Sequence, residues 1–166
     1  MMKCLNLGSG ESYKEGWDNL DIKRPCDIIH DLNKFPYPLK SNYYDLVLAD
    51  NIIEHLYDTV KFMKEIHKIL KPDRIVIIRI PYYNHPVAWI EPTHKKALSE
   101  DSFRYFCYKF YIKNNPVEEM YKFSEFGYKY KYVMGIPNNF ITDGLAYLLR
   151  HIFPLYVVGV EVRLRK

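Results

Sequence analysis

The chain has 166 residues, 48% hydrophobic and 27% charged, which fits one globular domain of ordinary size and excludes disordered, collagen-like and coiled-coil classes. Its 24 basic and 20 acidic residues leave a net charge of +4, too mild to imply a dominant polyanionic partner. Cys4, Cys26 and Cys107 are scattered without a Cys-x-x-Cys pair, which argues against a disulfide framework and suits a reducing, cytoplasmic location. No signal peptide is expected, because the apolar run after Lys3 breaks at Asn6 and Gly8. No transmembrane segment is expected either: the longest candidate, 145–160, contains Arg150, His151 and Pro154.

Short apolar runs alternate with helical ones, which predicts an α/β sheet. Residues 3–7 read as a strand delivered into the tight loop Gly8-Ser9-Gly10, and 17–22 and 27–32 as two more brief strands. Between Gly10 and Trp17 there is too little chain for a full crossover helix. The first helix must therefore be abbreviated to a turn or a single helical turn, with the strands still pairing parallel. Residues 44–50 (YDLVLAD) form a fourth strand. Val60, Met63, Ile66 and Leu70 then recur at helical spacing, with Asp58 or Thr59 as N-cap and Pro72 as a stop. Residues 74–80 (RIVIIRI) are β-branched and nearly continuous, as a strand covered on both faces should be. A second helix is expected from Glu100 to about Ile112, capped by Ser99. The end of the chain reads as strands at 128–136 and 155–164 flanking a helix at 141–152. Residues 1–166 are read as a single domain.

Four consecutive strand ends carry glycine or polar groups: Gly8-Ser9-Gly10, Asp21, Asp31-Leu32 and Asp50-Asn51. That is the edge on which open α/β sheets bind ligands. A dinucleotide loop would need a third glycine where Tyr13 stands, and a phosphate-cradling loop would need Gly-Lys-Ser/Thr, so both fingerprints fail. Asp21 is placed to accept from ribose hydroxyls, and Asp31 with Leu32 to meet an adenine amino group and ring.

The stretches LNLGSG (5–10), NLDI (19–22), HDLNKFPYP (30–38), YDLVLADNIIEHL (44–56) and LKPDRIVIIRIP (70–81) together resemble the class I S-adenosylmethionine-dependent methyltransferases of the type 11 methyltransferase-domain family. A looser likeness continues through 81–106, the segment that would hold the methyl acceptor. The resemblance implies a Rossmann-like, seven-stranded, mostly parallel sheet with an antiparallel last strand. It implies S-adenosylmethionine as methyl donor and S-adenosylhomocysteine as product. By position, Asn6, Gly8, Ser9 and Gly10 would surround the methionine portion, Asp21 the ribose, and Asp31 and Leu32 the adenine. Asp50 or Asn51 would meet the amino-acid end, with His55 closing that side. The chain departs from the family at Asn6, where an acidic residue is usual, and at Asp73-Arg74, where two glycines are.

For such chemistry the cofactor supplies the electrophile, and the protein must orient and desolvate the acceptor. Residues expected to act on the acceptor are His94 as base, His85 second, and Tyr83 as a pocket wall. His85, Glu91 and His94 match no standard zinc spacing, so no metal is expected. The interleaved Tyr and Lys residues of 121–132 could stack bases, but alternation on a strand explains them, and a nucleic-acid partner is not favoured. The expected acceptor is a small molecule or glycan-type group. The rival readings are a non-catalytic cofactor-binding scaffold and an RNA methyltransferase. A homodimer is left open.

Overall fold

The computed structural model describes residues 2–107, 123–132 and 157–166. Seven strands form one sheet: β1 (Cys4–Leu7), β2 (Asp18–Asp21), β3 (Ile28–Ile29), β4 (Tyr44–Asp50), β5 (Leu70–Pro81), β6 (Glu125–Tyr132) and β7 (Val157–Arg165). Their spatial order is β3-β2-β1-β4-β5-β7-β6. β1 to β5 run parallel, and β7 lies antiparallel between β5 and β6. The connection from β1 to β2 contains no helix, yet the strands pair parallel, Leu5 opposite Asp18 and Leu7 opposite Leu20. The order reverses between β1 and β4, so the ends of β1, β2, β3 and β4 share one carboxyl edge.

Helix α1 (Thr59–Ile69) connects β4 to β5. It starts where Asp58 Oδ1 accepts from the Lys61 amide at 2.9 Å, an N-cap that satisfies one of the helix's orphan donors. Phe62, Met63, Ile66 and Ile69 are buried along one face. They join Leu5, Leu7, Val47, Ala49, Val76 and Ile78 in one core, each large side chain contributing about 1.5–3 kcal/mol by leaving water. The helix stops as expected before Pro72, but the strand begins at once rather than at Arg74. Leu70 already pairs with Tyr44, and Lys71 to Arg74 bulge before Ile75 pairs with Leu46. A bulge tolerates proline, because its extra residues leave the ladder. Asp73 takes φ +60° there. Asp45 pins the bulge, accepting from the Lys3 amide at 2.8 Å and Lys71 Nζ at 2.8 Å, with Arg74 Nε at 3.2 Å.

The chain beyond β5 departs from expectation. Within the described part of the expected helix, residues 100–107, the helix is limited to Asp101–Arg104 (α3), and Cys107 is already in a bridge with Phe123; residues 108–112 lie outside the described residues. Ser99 is not its cap: its carbonyl accepts from the Ser102 amide and its amide donates to Ser102 Oγ, making a turn. A short helix α2 (Val87–Ile90) precedes it. The final strands run Glu125–Tyr132 and Val157–Arg165, whereas the expected helix at 141–152 and strand residues 133–136, 155 and 156 lie outside the described residues. On β6, Phe126 and Tyr128 lie under the Arg104 guanidinium, 5.4 and 5.9 Å from it. Among the described residues no helix is long and apolar enough to cross a membrane.

Candidate functional site

The loop after β1 is fixed by its backbone. Gly8 has φ +64° and Gly10 φ +46°, values that favour glycine. At Gly8 the space is closed as well, since an added Cβ would lie 2.5 Å from Ile52 Cγ1. At Gly10 nothing lies within 4 Å of such a Cβ, so the surface there is open. The Gly8 and Ser9 amides both donate to the Leu20 carbonyl, at 2.8 and 3.2 Å. Ser9 is 2% exposed, and its Oγ has no hydrogen-bond partner among the described residues. A buried hydroxyl left unpaired calls for explanation.

In place of a crossover helix, the chain between β1 and β2 is held by side chains. Asn6 Nδ2 donates to the Ser12 carbonyl at 2.9 Å and to Asn19 Oδ1 at 3.1 Å. Asn19 Oδ1 also accepts the Lys14 amide, and its Nδ2 reaches the Lys14 and Trp17 carbonyls. Asp27 accepts from both the side chain and amide of Asn19 and from the Tyr13 hydroxyl, and these bonds hold its carboxyl below the usual range. Asn6 is thus a neutral member of a closed network, where a carboxylate would face Asn19 Oδ1.

Asp21, 9% exposed, ends β2 beside this loop. Its Oδ2 accepts the Gly10 amide at 2.8 Å and its Oδ1 the Lys23 amide at 3.2 Å. Further along the edge, Asp31 Oδ1 accepts the Asn33 amide at 2.9 Å. Leu32 is only 6% exposed and belongs to the core, so its side chain has little surface left to offer an adenine ring.

Asp50 and Asn51 leave β4 at a sharp turn, with Asn51 at φ +49° and its amide donating to the Arg79 carbonyl. Arg79 bridges Asp50 Oδ2 and Glu161 Oε2, each at 2.9 Å. Burial alone would raise the Glu161 carboxyl, but hydrogen bonds from Arg79 and Arg163 hold it below the usual range. These groups border a cavity of about 510 Å³. Sequence reading passed over Arg79, whose signal is a charge within the apolar run IVIIRI.

A second group gathers where the 3-10 turn Ile53–His55 meets the segment after β5. The Lys95 amide donates to the Glu54 carbonyl at 2.8 Å, fastening one to the other. The His55 and His94 rings lie 4.7 Å apart, edge to face. Their Nε2 atoms are 3.9 and 3.4 Å from the Glu91 carboxylate. A hydrogen bond from the Thr93 hydroxyl is the main cause of the lowered Glu91 pKa. Glu54, missed in the sequence, is 2% exposed, its carboxylate oxygens have no hydrogen-bond partner among the described residues, and burial pushes its carboxyl up to about 7. His85 stands differently from expectation: its Nδ1 accepts the Val87 amide at the start of α2. Tyr83 packs edge-on against Tyr82, and its carbonyl accepts Trp89 Nε1. One potential ligand atom from each of Glu54, His55 and His94 lies within 4.8 Å of the others.

The family described as a methyltransferase domain, type 11, matches residues 18–78. An S-adenosylmethionine-dependent methyltransferase from Archaeoglobus fulgidus is similar in structure, with 16% identity and a TM-score of 0.68 over 99% of this chain and 86% of that one. A chain of the complex of the Haloferax volcanii Trm112 methyltransferase activator is similar too, at 16% identity and TM-score 0.59 over 99% and 82%. So is Haemonchus contortus phosphoethanolamine N-methyltransferase 2, solved with S-adenosyl-L-methionine, at 16% identity and TM-score 0.52 over 99% of this chain and 48% of that one. No curated protein sequence matches the chain. The sheet is the Rossmann-like fold of these methyltransferases.

Proposed function

We propose that this chain is an S-adenosylmethionine-dependent methyltransferase that methylates a small-molecule or glycan-type acceptor by in-line displacement, a reading supported by the methyltransferase-domain match over residues 18–78. The observation that carries the reading is the glycine loop. A buried, unpartnered Ser9 hydroxyl and open space over Gly10 adjoin a carboxylate at the end of β2. These residues fit the cofactor: Asn6, Gly8, Ser9 and Gly10 would hold its methionine portion and Asp21 its ribose hydroxyls. Asp31 would face the adenine amino group with Leu32 as buried support, and Asp50, Asn51 and His55 would close the amino-acid end.

Bound there, the cofactor supplies a methyl group made electrophilic by its sulfonium. The chain's own task is to seat the acceptor opposite the carbon–sulfur bond. Displacement there would leave S-adenosylhomocysteine as product, and an acceptor that carries a proton would need a base to take it. The cavity at Asp50 and Arg79 and the segment after β5 bound the space for the acceptor. His94 would serve as the base, a reading supported by the 3.4 Å between its Nε2 and the Glu91 carboxylate, which would pass the proton on. Tyr83 and His85 shape the entrance.

The test is thermal unfolding with and without S-adenosylmethionine or S-adenosylhomocysteine, followed by transfer of a labelled methyl group into cell extract. At about a hundred times the dissociation constant, ligand adds roughly 2.7 kcal/mol, or about 5–10 °C at this size. Asp21→Asn should abolish most of that shift. A shift without any labelled product would favour the scaffold reading, and no shift at all would overturn the assignment.

A further inference from the structure

We propose that Glu54, His55 and His94 form a site for one divalent transition-metal ion of the zinc type, adjoining the glycine loop. Each residue offers one ligand atom, and these atoms lie within 4.8 Å of one another. Ile52, two residues before Glu54, packs against Gly8, so the site borders that loop. Two imidazoles with one carboxylate are a donor set suited to zinc, which takes three protein ligands where a fourth position stays open. Two nitrogen donors also select against magnesium and calcium.

Three observations converge. First, Glu54 is 2% exposed, and neither carboxylate oxygen has a hydrogen-bond partner among the described residues. Buried charges are normally paired or coordinate a metal, and only a cation or a proton would relieve this one. Second, in both histidines the outer nitrogen is engaged and Nε2 is the ring atom left for a metal. His94 Nδ1 lies 3.0 Å from the Ala88 carbonyl, which can only accept, so Nδ1 carries a proton and Nε2 is the nitrogen a metal would take. His55 Nδ1 lies 3.1 Å from Thr93 Oγ1 and 3.3 Å from the Thr93 carbonyl. The Thr93 hydroxyl donates its own proton to Glu91, so it accepts from His55, and His55 Nε2 is likewise presented. Such outer hydrogen bonds orient metal-binding histidines. Third, both Nε2 atoms converge on Glu91, which lies outside them at the surface and adds negative charge to the approach.

The ligands come from two segments 39 positions apart, which is why no zinc spacing shows in the sequence. Bonds of about 2.0–2.1 Å require the groups to close from their present separation. Partly exposed His55 would have to turn about its contact with Thr93 to do so. The consequence for chemistry rests on the methyltransferase reading: the open position would take an oxygen of the acceptor and lower its proton affinity. His94 would then serve as ligand, leaving Glu91 to receive the proton, and the acceptor class would narrow to one offering an oxygen.

The test uses the whole chain, stripped with chelator and titrated with Co²⁺ without methyl donor or acceptor. One visible ligand-field band should saturate at one equivalent and be bleached by Zn²⁺. The isosteric Glu54→Gln and the His94→Ala substitutions should each weaken Co²⁺ binding by at least about tenfold, while His85→Ala leaves it unchanged. Retention of the S-adenosylhomocysteine thermal shift would show that the variants are folded and that the cofactor site is intact. No saturable band, or a band that Glu54→Gln and His94→Ala leave unaltered, would overturn the metal site without touching the methyltransferase reading.

Discussion

Gly8 offers a quantitative check on the geometry of the loop. Alanine there meets two separate penalties. The first is the left-handed backbone at φ +64°, about 1–2 kcal/mol for a residue with a Cβ. The second is contact at 2.5 Å with Ile52 Cγ1 and 2.7 Å with Cδ1, an overpacking cost of about 1–3 kcal/mol. Gly10→Ala carries only the first, because nothing lies within 4 Å of its Cβ. Urea unfolding should therefore rank Gly8→Ala below Gly10→Ala by about 1–3 kcal/mol at unchanged m-value. Ile52→Ala removes the two clashing atoms, so Gly8→Ala should cost less in that background by a similar amount. Additivity of Gly8→Ala and Ile52→Ala within about 0.5 kcal/mol would refute the packing argument. The cofactor reading adds a contrast: Gly10→Ala should abolish the S-adenosylhomocysteine thermal shift even though it is the milder change in the unliganded chain.

Other consequences are equally direct. The Lys3 amide and then Lys71 hold the Asp45 carboxyl below its ordinary range. A depressed folded pKa contributes stability above the unfolded value of about 3.9 that is lost as pH falls through the folded one. Asp45→Asn should thus flatten the acid limb of a stability–pH curve below about pH 4, and an unchanged limb would count against the Asp45 contacts. Cys107 is fully buried, and burial pushes its thiol up to about 12. Alkylation should modify it only after denaturation, and prompt labelling of the native chain would contradict its placement. Phe62→Ala, at a fully buried position on α1, should cost about 3–5 kcal/mol, read from the denaturation midpoint. A loss under 1 kcal/mol would mean that α1 does not pack as described.

Much of the fold is legible because its signals are local. The apolar middle of 44–50 gave a strand with the limits found, and Asp58 marked the start of α1 where it stands. The failures have equally specific causes. Phe103, Phe106 and Cys107 are all buried, at a spacing that imitates a helix face. A bridge to Phe123, distant in sequence, claims the last of them instead. Likewise the bulge at 71–74 depends on Asp45, Lys3 and Lys166, partners that no window around Pro72 contains. At the site, the strand-end glycines and acids could be placed from topology alone. Arg79 could have been noticed as a charge inside an apolar strand. Glu54 could not, because its importance lies in being buried without a partner, which only the folded chain displays.

The side-chain network that replaces the first crossover helix bears on when the loop gains order. A helix of its own would supply a ladder of local hydrogen bonds able to form early. Here, apart from two turns closed by Ser12 and Trp17, the bonds of this stretch run to Asn6 and to Asn19, Leu20, Asp21 and Asp27. Asn6 and Asn19 are themselves strand residues that meet only when β1 and β2 are side by side. The carboxyl edge at this loop therefore has no independent life: it assembles with the sheet and opens with it. Amide exchange at Gly8 and Lys14 should accordingly track separation of β1 from β2, so that a ligand tightening this loop would slow the opening of the neighbouring strands as well.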